Sequence, residues 1–131
     1  MLDFIDPKVV AAAQVATALG IAYFWFTWFR TPHTESWLPK GYLEHERCFV
    51  YPDSVLSLLL VTTAVLLWRV HPMGASLALV CAGMALFLAV IDTAYFLQHG
   101  MFARQRGGLE NLLGVVLPLY ALSALQILRF A

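Results

Sequence analysis

The third long apolar stretch of this chain is residues 73–98, with the sequence MGASLALVCAGMALFLAVIDTAYFLQ. Asp92 is the single charged residue in this stretch. A helix of this length extends about 39 Å at 1.5 Å per residue, which exceeds the roughly 30 Å hydrocarbon core of a bilayer. The segment therefore predicts a membrane-spanning helix.

Three other stretches are long and apolar enough to cross a bilayer, at residues 9–29, 52–70 and 111–130. The first two open on a proline beside an acidic residue, Asp6-Pro7 and Pro52-Asp53, as helix starts often do. Pro118 lies inside the last stretch and predicts a kink. We predict an all-α, antiparallel four-helix membrane bundle, a single domain over residues 1–131 with both termini on the same side.

The composition agrees with a lipid environment. Hydrophobic residues make up 61% of the chain and charged residues 12%, whereas about a quarter of a soluble domain is charged. The formal net charge of zero argues against nucleic acid as a partner. Cys48 and Cys81 form no CxxC motif, so a thiol-redox enzyme has little support. We expect a multi-pass protein of a cell inner or plasma membrane.

Four spans divide the connecting segments between two ends of the bundle. Face A carries the termini and the tight turn near residue 72, and face B carries the loops at 30–51 and 99–110. Five of the 8 basic residues fall on face B, which favours a cytoplasmic face B. The small margin leaves the orientation open.

Alanines form a stripe along the third span, because they recur at intervals of three and four residues. They are Ala75, Ala78, Ala82, Ala85 and Ala89. Helices in lipid pack closely where side chains are small, so we predict a packing seam here. Asp92 continues the stripe, about 10 Å from the middle of the span toward face B. A lipid-facing carboxylate is costly, so Asp92 is expected to point into the bundle.

Polar residues from all four spans reach the same end of the bundle as Asp92. They are Arg30, His33, Asp53, Tyr95, His99, Glu110 and Asn111. We predict a ligand-binding or ion-handling site among them, formed by the 30–51 and 99–110 loops. The spacing of the histidines and acids matches no metal-ligand pattern. No metal, no other cofactor and no catalytic residue is therefore predicted.

Two segments beside this site allow more than one interpretation. The aromatic end of the first span, residues 23–29, is typical of an interfacial belt but would also suit the wall of a pocket. Residues 37–47 mix aromatic and charged side chains, and we predict a short interfacial helix or cap over face B. Within it, Glu44, His45 and Glu46 are interpreted as a solvated loop surface.

Three function classes remain open. The leading hypothesis is a non-catalytic protein that binds a small apolar or amphipathic ligand near face B, or that associates with itself or with a larger membrane complex. The second is an oligomeric proton- or ion-coupled transporter or channel using Asp92 and Asp53. The third is a lipid-modifying enzyme that depends on Asp53, Asp92 or Glu110. In a purely structural alternative, Arg30 pairs with Asp92 or Asp53 and locks the helices together.

Overall fold

A computed structural model describes residues 2–131, and no strand occurs in that range. Its long helices are α1 (Pro7–Arg30), α3 (Val50–Trp68), α4 (Met73–Gln98) and α5 (Gly108–Phe130), and a short helix α2 (Tyr42–Cys48) leads into α3. Four helices, counting α2 and α3 as one from Tyr42 to Trp68, are long and apolar enough to cross a membrane. The predicted all-helical, four-span membrane bundle is confirmed.

The helix starts follow from the local sequence. The Asp6 side chain accepts a 2.9 Å hydrogen bond from the Lys8 backbone N–H, which caps α1 just before Pro7. Pro52 and Asp53, expected to open the second span, lie instead in the first turn of α3, which begins at Val50. Proline is tolerated there because the first-turn N–H groups have no helical partner.

Helix α4 packs between α3 and α5, and it is the most buried of the four candidate spans. Ala78, Ala82, Ala85 and Ala89 are fully buried, and Ala75 is half-buried. The Ser123 hydroxyl of α5 donates a 2.9 Å hydrogen bond to the backbone oxygen of Ala82. Small side chains on α4 thus allow its neighbours to approach closely, as packing in lipid requires.

Hydrogen bonds join α1 to α5 near face A. Gln14 Nε2 donates to Gln126 Oε1 at 2.8 Å, and both glutamines are fully buried. The backbone N–H of Leu2 donates to the Leu128 oxygen at 2.9 Å. Arg129 Nε donates to the Ile5 oxygen at 2.6 Å. The two ends of the described chain are therefore fastened side by side.

Helix α5 begins irregularly. Residues Asn111–Val116 form a π-helical segment directly ahead of Pro118. Because proline has no N–H, the Gly114 oxygen lacks its usual donor four residues later. A π segment shifts the pairing by one residue and widens the helix, and such segments are frequent at functional sites. The sequence predicted a kink at Pro118, but not a π segment.

Candidate functional site

A cavity of about 360 Å³ lies between the face B halves of α1 and α5, beyond the Gln14–Gln126 contact. This volume is within the range of small-molecule sites, about 300–1,000 Å³. The apolar part of its lining comprises Ala16, Gly20, Ile21, Phe24, Trp25, Phe49, Phe96, Gly114, Val115, Pro118 and Leu119. The polar part comprises Thr17, Tyr42, Glu46, Asp53, Asp92 and Asn111.

Three carboxyl groups line this cavity, one from each of α2, α3 and α4. Glu46 is only 8% exposed, and Asp53 and Asp92 are half-buried. The Trp25 indole Nε1 donates a 2.8 Å hydrogen bond to Asp53 Oδ2, which positions that carboxylate. The three groups are close enough to interact electrostatically. Within residues 2–131, no lysine, arginine or histidine lines the cavity, so its polar end is acidic.

Glu46 corrects the interpretation of residues 44–46 as a solvated loop surface. Glu44 is exposed, as expected, but Glu46 lies in a helix, is buried and lines the cavity. Tyr42, Glu46, Phe49 and Asp53 are separated by four, three and four residues, which places them along one helical face. That spacing was a sequence signal for Glu46.

The aromatic end of α1 divides between two environments. Tyr23, Phe26 and Phe29 are exposed on the outside of the bundle, as in an interfacial belt. Phe24 and Trp25 line the cavity, as a pocket wall would. Trp28 is buried, and its Nε1 donates a 3.3 Å hydrogen bond to the Tyr42 hydroxyl, which ties α2 to α1.

Tyr95 and His99, two predicted site residues, lie outside the cavity lining. The His45 ring stacks on Tyr95 with centroids 3.8 Å apart and planes within 8° of parallel. The His99 ring packs against the Tyr95 ring, and their centroids are 4.4 Å apart. Their contacts fasten α2 to the end of α4.

Arg30, His33 and Glu110 are not brought to the carboxyl groups. The Arg30 guanidinium is exposed and lies 4.4 Å from the centroid of the Phe26 ring. The ion pair with Asp53 or Asp92, considered above as a structural alternative, is therefore not formed. His33 Nε2 lies 2.9 Å from the Trp28 oxygen, and Glu110 is exposed. None of the three lines the cavity.

Asn111 is the predicted residue that α5 contributes to the cavity wall. Its Nδ2 donates a 2.7 Å hydrogen bond to the Met101 oxygen, which anchors the π segment to the preceding loop. This contact fixes the start of α5 at the wall of the cavity that Asp53 and Asp92 also line.

The cavity opens on the outside of the bundle between α1 and α5. Ala16 and Gly20 on one side, and Gly114 and Pro118 on the other, line the cavity and are also exposed. A Cβ atom added at Gly20 or Gly114 would meet nothing within 4 Å. The opening is thus framed by small side chains on two helices that are suited to cross the membrane.

No group of three or more His, Cys, Asp or Glu side chains in the described part of the chain is arranged to hold a metal ion. In comparisons with known proteins, no protein family, no curated protein and no solved structure matches this chain. The chemistry of the cavity is therefore the basis for considering function.

Proposed function

We propose that this protein is a membrane-embedded, non-catalytic binding protein for a small amphipathic molecule, which enters the cavity from the bilayer between α1 and α5. The observation that carries the proposal is the polarity gradient of one cavity. Small, apolar residues line its mouth, and its inner end carries Glu46, Asp53 and Asp92. A ligand with an apolar body and a polar head matches that gradient, because apolar walls with a few placed polar groups are typical of small-molecule sites.

The packing of α1 and α5 supports entry from the side. Hydrogen bonds fasten these helices near face A, through Gln14 and Gln126 and at the chain ends. The mouth of the cavity lies closer to face B, where α5 has its π segment and Pro118. Irregular helical segments of this kind often mark hinges, so this half of α5 is suited to move and admit a ligand.

Fluorescence quenching tests the proposal. Bromoadamantane is a compact, neutral, lipophilic quencher, and Trp25 is the tryptophan in the cavity wall. In detergent-solubilised protein we expect saturable quenching that is largely lost in Trp25→Phe. Gly114→Phe places a ring in the open space at the mouth and should weaken the saturable quenching at least tenfold.

Gly83→Phe is the matched control, because a Cβ at Gly83 also meets nothing within 4 Å and this residue lies on α4 away from the cavity. It should leave quenching unchanged. Quenching that is equally strong in Trp25→Phe, or equally weakened by both phenylalanine variants, would contradict binding in this cavity.

Proton- or ion-coupled transport is a second candidate, favoured by the fact that Asp53 and Asp92 line the same cavity. Carboxyl groups inside a membrane bundle commonly serve such pathways. Asp92→Asn should then abolish proton or ion flux in liposomes, and unchanged flux would remove this candidate. In either role we place the protein in an inner or plasma membrane, where it acts alone, as a homo-oligomer or within a larger complex.

A further inference from the structure

Glu46 is the residue in the cavity that most clearly lacks a partner. Its side chain is 8% exposed, lines the cavity, and is hydrogen-bonded to no donor within residues 2–131. Its electrostatic neighbours include another acid, Asp53. Burying a carboxyl group without a partner of opposite charge is unfavourable. No side chain among residues 2–131 supplies a positive group to the cavity beside Glu46.

Asp92 lies at the same end of the cavity, and it too is hydrogen-bonded to no donor among the described residues. Its electrostatic neighbours are Glu46 and Asp53. Asp53 differs, because the Trp25 indole already donates to it. Two of the three carboxyl groups are thus free to receive a ligand.

Aromatic rings line the cavity beside these acids. Phe24, Trp25, Phe49 and Phe96 contribute to the wall. The faces of such rings attract cations as well as apolar groups. This lining would favour an ammonium group over an anionic headgroup, which the three carboxyl groups would repel.

We propose that the ligand is a lipophilic amine whose ammonium group pairs with the unpartnered carboxyl groups of Glu46 and Asp92, while its apolar body lies between α1 and α5. The inference rests on the proposed function and names the chemical class of its ligand. The ammonium group belongs either to a free amine or to the headgroup of a membrane lipid, and both present the same chemistry to the acids.

Three adamantane derivatives of one shape test the charge preference: aminoadamantane, adamantanol and adamantane carboxylate. Their affinities are measured by calorimetry with the full chain in a neutral sugar detergent. We expect the amine to bind at least about tenfold more tightly than the alcohol, the ratio expected for a charge-assisted hydrogen bond. The carboxylate should bind most weakly. This order needs no variant and so tests the inference on the unmodified protein.

The double variant Glu46→Gln/Asp92→Asn should lower amine affinity at least about tenfold, and so remove most of the preference for the amine over the alcohol. Glu44→Gln is the matched control, because Glu44 lies on the same short helix but is exposed and outside the cavity lining. It should leave the affinities of all three compounds unchanged.

The possible failures are distinguishable. Equal binding of amine and alcohol, with both blocked by Gly114→Phe, would overturn the amine inference and leave the proposed function standing. Absence of binding by all three compounds, or binding that Gly114→Phe does not affect, would overturn both.

In nanodiscs, competition by phosphatidylethanolamine would identify a lipid headgroup as the source of the ammonium group, and amine binding without such competition would identify a free amine.

Discussion

The indole Nε1 of Trp25 donates a 2.8 Å hydrogen bond to Oδ2 of Asp53, and this contact joins α1 to α3 at the acidic end of the cavity. The indole is itself buried, at 7% exposure. One bond thus serves two purposes. It positions a carboxylate that would otherwise lack a partner, and it sets the separation of two walls.

Trp25→Phe keeps an aromatic ring but removes the donor to Asp53. We expect a loss of about 1–3 kcal/mol in the free energy of unfolding, since a half-buried charged acceptor is left unsatisfied. Reversible unfolding in mixed micelles would measure the loss. Trp68→Phe, at an exposed position, should cost less than about 0.5 kcal/mol. In an Asp53→Asn background the cost of Trp25→Phe should shrink, and an undiminished cost would show that the bond is not its source.

The surroundings of Gly108 and Gly83 predict opposite effects of a substitution by alanine. A Cβ at Gly108 would overlap the Phe102 backbone oxygen, so Gly108→Ala forces the loop before α5 to move. We expect at least about 2 kcal/mol of destabilisation. Gly83→Ala meets no neighbour within 4 Å and should be neutral or stabilise α4 by up to about 1 kcal/mol. Thermal unfolding of both variants would reveal the difference, and equal shifts would contradict the contact at Gly108.

Gln14 and Gln126 form a buried polar pair whose two ends are not equivalent. Gln126 Nε2 also donates to the Leu122 oxygen, whereas Gln14 Oε1 has no hydrogen-bond partner among residues 2–131. Either single change to leucine leaves a buried amide unsatisfied and should cost about 1–3 kcal/mol. The double leucine variant should recover part of that loss. Strict additivity in this double-mutant cycle would argue against the 2.8 Å bond between the two side chains.

Ala85 should tolerate no larger side chain. It is fully buried in the centre of α4, within a cluster that includes Leu56 and Leu119. Ala85→Leu is expected to destabilise the bundle by about 1–3 kcal/mol, because added methyl groups must displace packed neighbours. Ala75→Leu, at a half-buried position of the same stripe, should cost clearly less. A comparison of unfolding midpoints tests this order, and a cost at residue 75 equal to that at 85 would refute it.

Parts of this architecture could be predicted because they follow from the residue pattern within a single helix. The four spans follow from length and apolar content, and the alanine stripe of α4 follows from spacing alone. Asp92 was expected inside the membrane, on the same helix face as the alanine stripe, and it lines the cavity. In each case the information lies within one contiguous segment, so periodicity is sufficient.

The rest depends on relations between segments. Glu46 was missed because the local composition of α2, with exposed Glu44 and Arg47 beside it, is that of a solvated segment. Its burial follows only from the face that continues through Phe49 into α3. The cavity has no sequence signal of its own, because it exists where α1 and α5 are not held together. Tyr95 and His99 reach the predicted end of the bundle, but Tyr95 stacks on His45 and His99 packs against Tyr95.

Asp92 also bears on how the chain enters the membrane. During synthesis each span partitions into lipid largely on its own apolarity, and α5, which forms one wall of the cavity, is made after α4. At that stage the Asp92 carboxyl group has no cavity to occupy. The free energy cost of placing it in lipid therefore falls on α4 alone. Yet α4 is the most apolar of the four candidate spans. The surplus of leucine, valine and alanine around Asp92 therefore lets the acid be inserted, and a reduction of that surplus would impair biogenesis before it changed the finished fold.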